Sequence, residues 1–206
     1  MPYAASHAPE TRRRIVESAR RLFNQKGFGD VSIEEIMAGA GLTRGGFYHH
    51  FKTKDELYAE AVAIALTCDP VERISGKPMC PGGSGNAMMR AMVEAYLSRA
   101  HLDNTEEHCA LFALPSDVAR ASQTVREAYQ NVLVAMAQLF ERGFGEDTEA
   151  RRKALTLASL CVGAMTLSST VSDSALAEDI RTAALASACE LMPEERAVAV
   201  RKVGVA

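Results

Sequence analysis

The chain has 206 residues, of which 48% are hydrophobic and 24% charged, with a formal net charge of -3. This is globular rather than disordered composition, long enough to bury a core without disulfide or metal staples. The overall balance excludes a protein that grips polyanions with its whole surface. The charge is uneven, however: residues 1–58 carry nine Lys/Arg against seven Asp/Glu, and the remainder fourteen against nineteen. A mildly basic head on an acidic body suggests a local footprint for an anionic partner.

Taken in chain order, the pattern is helical almost throughout. The start, "MPYAASHAPETRRR", has no apolar stretch before its arginines and does not read as a secretory signal, so the expected location is cytoplasmic. Residues 10–26 place Ile15, Ala19, Leu22 and Phe23 on one helical face, and Gly27 ends that helix. Ser32 and Glu35 form a capping box for a short second helix through Ala40, which Gly41 breaks. Thr43 then caps a third helix to about His50. A fourth begins near Thr53 or Lys54, carries Leu57, Ala61, Ile64 and Ala65 on one face, and ends near Cys68.

Residues 69–85, "DPVERISGKPMCPGGSG", read as a loop because of their prolines and glycines. Helical patterns follow at about 86–102, 105–120, 122–143, 148–171 and 174–192, and the tail from Pro193 shows no core face. No strands are expected. Residues 154–172 carry no charge, yet seven Ser/Thr dilute the run too far for a membrane span, so a helix buried in protein is expected.

Three short helices with a glycine turn between the second and third are the sequence form of a helix-turn-helix. Ile33, Ile36 and Met37 face inward, Leu42 fills the turn, and Phe47 and Phe51 anchor the third helix to the first. The remaining surface of "TRGGFYHHF" is Thr43, Arg44, Gly45, Gly46, Tyr48, His49 and His50, with no acidic residue. Two adjacent glycines in so short a helix cost helical stability, roughly 1 kcal/mol each. One reading is that they let the backbone approach base edges or phosphates; the other is that they permit tight helix–helix packing. Arg44 is placed to reach a guanine edge. Lys54 adds a cation where a helix dipole already favours an anion.

The stretch "DVSIEEIMAGAGLTRGGFYHHFKTKDELYAEAV" resembles the DNA-binding signature of the TetR family of bacterial transcriptional regulators, strongly over residues 10–65 and beyond them only in length and helical content. The resemblance implies an all-α protein with a helix-turn-helix domain over residues 1–53. It also implies a helical ligand-binding and dimerisation domain over 54–206. It further implies a homodimer on double-stranded operator DNA, most often a repressor that a small-molecule effector releases. The family pattern puts DNA contacts at Thr43, Arg44, Gly46, Tyr48, His49 and Lys54. The Gly45-Gly46 pair departs from many members, which have a larger residue at one of these positions.

Beyond residue 85 no catalytic, phosphate-binding or cofactor motif occurs, so neither an enzyme nor a cofactor is expected. The five cysteines (Cys68, Cys80, Cys109, Cys161, Cys189) include no C-x-x-C pair, which argues against a zinc site or a disulfide scaffold. Glu106 and Glu107 lie near His101 and His108 without metal-ligand spacing. In "HCALFALPSDVARAS", Cys109 and Phe112 share a face and Pro115 should interrupt the helix, which would open a pocket. Met92, Tyr96, Cys109, Phe112, Tyr129, Met136 and Met165 are the expected lining. The family includes members that sense electrophiles through a cysteine near this location. For Cys109 that role requires a lowered thiol pKa, with His101, His108 and Arg120 as candidate cations; the alternative is a small buried hydrophobe. Cys80, with only Lys77 nearby, has little reason to be reactive. Leu176, Ile180, Ala183, Ala184, Ser187 and Leu191, with Leu155, Ala158, Val162 and Thr166, form small-residue stripes that would build a four-helix interface across a two-fold axis or else pack within one chain.

Overall fold

The computed structural model describes residues 7–76, 78 and 84–194. Cys80, Lys77 and the tail beyond Glu194 lie outside the described residues. The described residues form helices and no strands, so the chain is all-α.

Helix α1 (His7–Lys26) buries Ile15, Ala19 and Phe23 completely. Gly27 ends it in the left-handed region at φ 78°. Helix α2 (Ile33–Gly39) opens with the expected reciprocal cap: the Glu35 N–H donates to Ser32 Oγ at 3.1 Å, and the Ser32 N–H donates to a Glu35 carboxylate oxygen at 2.8 Å. Gly41, at φ 68°, makes the turn, a conformation that side chains rarely adopt.

The third helix differs from the expected α-helix. Arg44–His49 winds as a 3-10 helix, beginning with the Gly46 N–H on the Thr43 carbonyl. Thr43 occupies the N-cap position, but its hydroxyl makes no capping bond. Six residues with two glycines hold too few i→i+4 bonds to enforce α geometry. Helix α3 (Lys54–Ala63) follows, capped by Thr53, and continues as a 3-10 turn at Ile64–Leu66.

The stretch expected to be a loop from residue 69 contains helix α4 (Pro70–Ser75). Asp69 caps it, Pro70 sits at its first position and Gly76 ends it at φ 69°. These are ordinary helix start and stop signals that the density of prolines and glycines concealed.

The expected 86–102 helix is two: α5 (Gly85–Tyr96) and α6 (Arg99–Asp103), with Ser98 capping the second. The expected 105–120 helix is three pieces: a 3-10 turn (Thr105–Glu107), α7 (Ala110–Ala113) and α8 (Pro115–Ala119), the last opening on Pro115. The long helices α9 (Gln123–Phe144), α10 (Ala150–Thr170) and α11 (Ser174–Leu191) complete the fold. Helix α9 packs against α3, α5 and α10, and α10 against α11. Gly143 permits the close approach of α5 and α9, since a Cβ there would lie 2.6 Å from Met89 Cβ.

Apolar side chains gather in two clusters. One joins α1, α2, the 3-10 helix and α3 with Leu114, Val118 and Val125; the other joins α5, α7, α9, α10 and α11. Helix α3 gives Leu57, Tyr58, Ala61 and Val62 to the first cluster while running along α9.

Candidate functional site

The surface of the 3-10 helix is open. Thr43, Arg44, Gly45, Tyr48 and His49 are exposed, Tyr48 at 62%, while Phe47 and Phe51 are buried beneath them. Neither glycine is there to let another element in. A Cβ on Gly45 would meet nothing within 4 Å, and one on Gly46 would make ordinary contact with Met37 Cε at 3.5 Å. Both have negative φ. The packing explanation for the glycine pair is therefore removed.

The element is held from below by arginines of α1. Arg12 donates to the His50 carbonyl that ends the 3-10 helix, pairs with Glu60 and Glu56 of α3, and stacks 3.9 Å above the Phe51 ring. Arg14 donates to the Ala40 carbonyl at the turn. These arginines are structural. Arg44 is paired with Glu34 of α2, both well exposed; such a pair in water is worth little and leaves the guanidinium available. Lys54 turns toward α1's exit. Its ammonium donates to the Phe28 carbonyl and lies 4.2 Å over the Phe28 ring, and burial lowers its pKa. Lys52, exposed between the 3-10 helix and α3, is a basic neighbour that the motif-led reading passed over.

A cavity of about 250 Å³ lies where α3, α4, α5, α7 and α9 meet. Of the seven residues expected to line it, Met92, Tyr96, Cys109 and Met136 do; Phe112, Tyr129 and Met165 do not. Phe112 packs edge-on against Tyr96 and His101, the Tyr129 hydroxyl donates to the Leu111 carbonyl at 2.7 Å, and Met165 is fully buried in the larger core cluster. The wall also includes Arg20, Arg73, His101, Glu107 and His108, which sequence spacing could not bring together from distant elements.

His101 is fixed in one tautomer. Its Nδ1 lies 2.8 Å from the Tyr96 carbonyl, and its Nε2 accepts the Cys109 N–H at 3.3 Å. Nδ1 must carry the proton and Nε2 must not. Burial pushes the His101 pKa down to about 4, against a smaller upward pull from the Tyr96 carbonyl, and burial lowers His108 as well. Both rings are neutral near pH 7.

The same burial works against an activated Cys109. Its thiol is pushed above the ordinary value by desolvation, which the Leu111 backbone, Tyr96 and Arg73 offset only in part. Neutral His101 and His108 supply no charge, and Arg120 is exposed and paired with Asp117. The requirement of a lowered pKa is not met. Cys161 is buried and its thiol is pushed up to about 12.

Between the cavity and α1 runs an ion-pair network. Arg20, only 5% exposed, pairs with Glu17 and Glu107, and Arg73 pairs with the same two carboxylates. Arg20 and Asn24 also donate to the Glu106 carbonyl, and Asn24 to that of His108 at 2.8 Å. On the next turn the Phe28 N–H donates to Asp117 of α8 at 3.0 Å. Burial raises the Glu17 pKa, but Arg20 and Arg73 outweigh it and bring the group down to about 2. Among the described residues no cluster of His, Cys, Asp and Glu suits a metal ion, and no helix is long and apolar enough to cross a membrane.

The α10–α11 stripes divide. Ala184, Ala158, Ala177 and Ala188 are buried within the chain, whereas Leu155, Leu167, Leu176, Ala183 and Ser187 face outward. Gly163 on α10 has open space above it. The expectation that Ala184 faces a second copy is therefore corrected: it is covered by its own chain.

Residues 15–61 match the family profile described as bacterial regulatory proteins, tetR family. The chain is 49% identical over 53 residues to the HTH-type transcriptional regulator AcrR of Shigella flexneri, a match covering 26% of this chain and 25% of that protein. A longer match, 28% identical over 172 residues, links it to the uncharacterised regulator YxaF of Bacillus subtilis and covers 80% of this chain and 87% of that one. The chain thus spans about a quarter of the length of AcrR and of the other relatives with the highest identity. In overall shape the chain is similar to a TetR-family transcriptional regulator from Cytophaga hutchinsonii, with TM-score 0.73 and 16% identity over 93% of this chain and 100% of that one. Residues 15–61 thus carry the sequence pattern of the tetR family of bacterial regulatory proteins, and the chain as a whole shares its fold with a solved regulator of that family.

Proposed function

We propose that the protein is a homodimeric, ligand-responsive repressor. Residues 1–53 bind double-stranded operator DNA, and residues 54–206 bind a small apolar effector and dimerise. The observation that carries the reading is the Gly45-Gly46 pair on an exposed 3-10 helix: two glycines with no internal reason, beside Arg44, Tyr48 and His49, suit close approach to a DNA groove. Thr43, Tyr48 and His49 contact phosphates and Arg44 reads a base edge, while Lys54, once released from the Phe28 carbonyl, takes a phosphate. The outward residues Leu155, Leu167, Leu176 and Ala183 meet their equivalents in a second copy.

The cavity supports release by an effector because its wall contains Arg20, Arg73 and Glu107, which tie α1 to the 3-10 turn at 105–107. A molecule that displaces this wall changes where α1, and with it the third helix, sits. A dimer must match half-sites about 34–36 Å apart or a multiple of that, so a small displacement releases DNA.

A salt-dependent mobility-shift assay on DNA upstream of the protein's own gene tests the reading. Arg44→Ala should cost about 1–3 kcal/mol on the cognate site and relax preference at one base position. Lys54→Ala should weaken all sequences alike and reduce the salt slope by about one. Absence of salt-dependent binding by the parent protein would remove the DNA-binding assignment.

A further inference from the structure

Two residues of the cavity wall carry a buried polar atom without a hydrogen-bond partner, Asn24 at its side-chain oxygen and Tyr96 at its hydroxyl, and of the two only the hydroxyl is a donor. Tyr96 is fully buried, and its hydroxyl has no hydrogen-bond partner of normal geometry. A buried donor left unpaired is costly, and native interiors hold few of them. The ring cannot swing away to find a partner. It packs edge-on against His101, 5.1 Å between centroids at 77°, and against Phe112, 5.9 Å at 76°, while the Tyr96 carbonyl is tied to the His101 ring. Its neighbour Cys109 is a poor acceptor as a neutral thiol.

The rest of the lining limits what else an occupant can carry. Most of it is aliphatic or thioether: Met92, Met136, Leu139, Leu111 and Val132. Arg20 and Arg73 are each already held by Glu17 and Glu107, so the charges neutralise one another before any ligand arrives. The nitrogens of His101 are both committed, and His108 Nε2 faces the Leu102 carbonyl at 2.9 Å. A carboxylate would have to break the Arg73–Glu107 pair or reach the exposed Arg142 on the wall to find a cation.

We propose that the effector is an uncharged, largely apolar molecule carrying a hydrogen-bond acceptor such as a ketone oxygen, and that the Tyr96 hydroxyl donates to that acceptor and selects for it. The assignment rests on reading the cavity as the effector site.

Three probes of one shape separate the possibilities: 2-acetylnaphthalene, 2-ethylnaphthalene and 2-naphthoate. Their binding to the full chain is followed by naphthalene fluorescence, without DNA. The ketone should bind about tenfold tighter than the hydrocarbon, as expected for a neutral hydrogen bond that also satisfies a buried donor. Tyr96→Phe keeps the ring, so it should bind 2-ethylnaphthalene as the parent does and lose the tenfold preference for the ketone. Equal affinity of the parent for the ketone and the hydrocarbon, a preference that survives Tyr96→Phe, tighter binding of 2-naphthoate than of the ketone, or binding of none of the three would each overturn the proposal. A ketone that binds through Tyr96 but leaves the protein–DNA complex intact would sustain this assignment and defeat the regulatory reading instead.

Discussion

Arg20, on the first helix, lies 2.8 Å from Glu107, at the end of the 3-10 turn that borders the cavity. The two residues are far apart in sequence, and their pairing joins the base of the helix-turn-helix unit to the cavity wall. Glu17 and Arg73 complete a four-member ring of alternating charge. Removing one partner of a buried pair leaves its counter-charge uncompensated, at a cost of about 3–5 kcal/mol. Arg20→Met should fall at the lower end, about 3 kcal/mol in urea unfolding, because Arg73 still serves both carboxylates. Glu17, with a folded pKa of about 2 against an ordinary 4.5, contributes stability that is complete above pH 4.5 and lost as the pH falls toward 2. The variant lacks much of that contribution, so its deficit relative to the parent should narrow below pH 4.5. A deficit independent of pH would show that the network acts by packing alone.

Burial of His101 makes the stability of the fold depend on pH. Protonating Nε2 would place a proton against the Cys109 N–H that it now accepts. The folded pKa of about 4 lies below the ordinary 6.5, so the unfolded chain takes up the proton first. Stability should be complete above pH 6.5 and decline toward pH 4, by up to about 3 kcal/mol from this group. His108 shifts in the same direction. Denaturant midpoints measured across this range check the sign, and His101→Asn should flatten the slope while lowering stability at pH 7.

The glycine pair offers a separation of stability from binding. Neither Gly45→Ala nor Gly46→Ala meets an internal clash, and both positions have negative φ. Thermal unfolding should therefore be unchanged or improved by up to about 1 kcal/mol. Affinity for operator DNA should nonetheless drop, by about tenfold or more at the position where backbone and groove approach most closely. Alanine variants that bind DNA as the parent does would leave the glycines without a role.

Neighbouring alanines on α11 distinguish core from interface. Ala184 is buried in its own chain, so Ala184→Glu should destabilise the monomer fold by several kcal/mol. Ala183 faces outward, and Ala183→Glu should leave the fold intact while giving a monomer by sedimentation that no longer holds a two-half-site operator. A dimeric Ala183→Glu variant would place the interface elsewhere.

The local sequence determined the elements whose cause is local. The Ser32–Glu35 capping box, the Gly41 turn and the inward spacing of Ile15, Ala19 and Phe23 were legible because caps, turn glycines and helical periodicity act over only a few residues. Family motif and fold class followed from the same short range. Tertiary structure decided what depends on approach between distant segments. It made Arg12 and Arg14 struts beneath the third helix and the turn before it, and it placed Arg20 and Arg73 around Glu17 and Glu107. It also exposed Ala183 and covered Ala184, one residue apart on an alanine-rich helix whose composition is too uniform to mark a face. Cys109 shows the same division: its sequence neighbours His101 and His108 suggested an activated thiol, but burial discharges both rings and raises the thiol. Charge state and cavity lining are set by desolvation, which only the packed molecule defines.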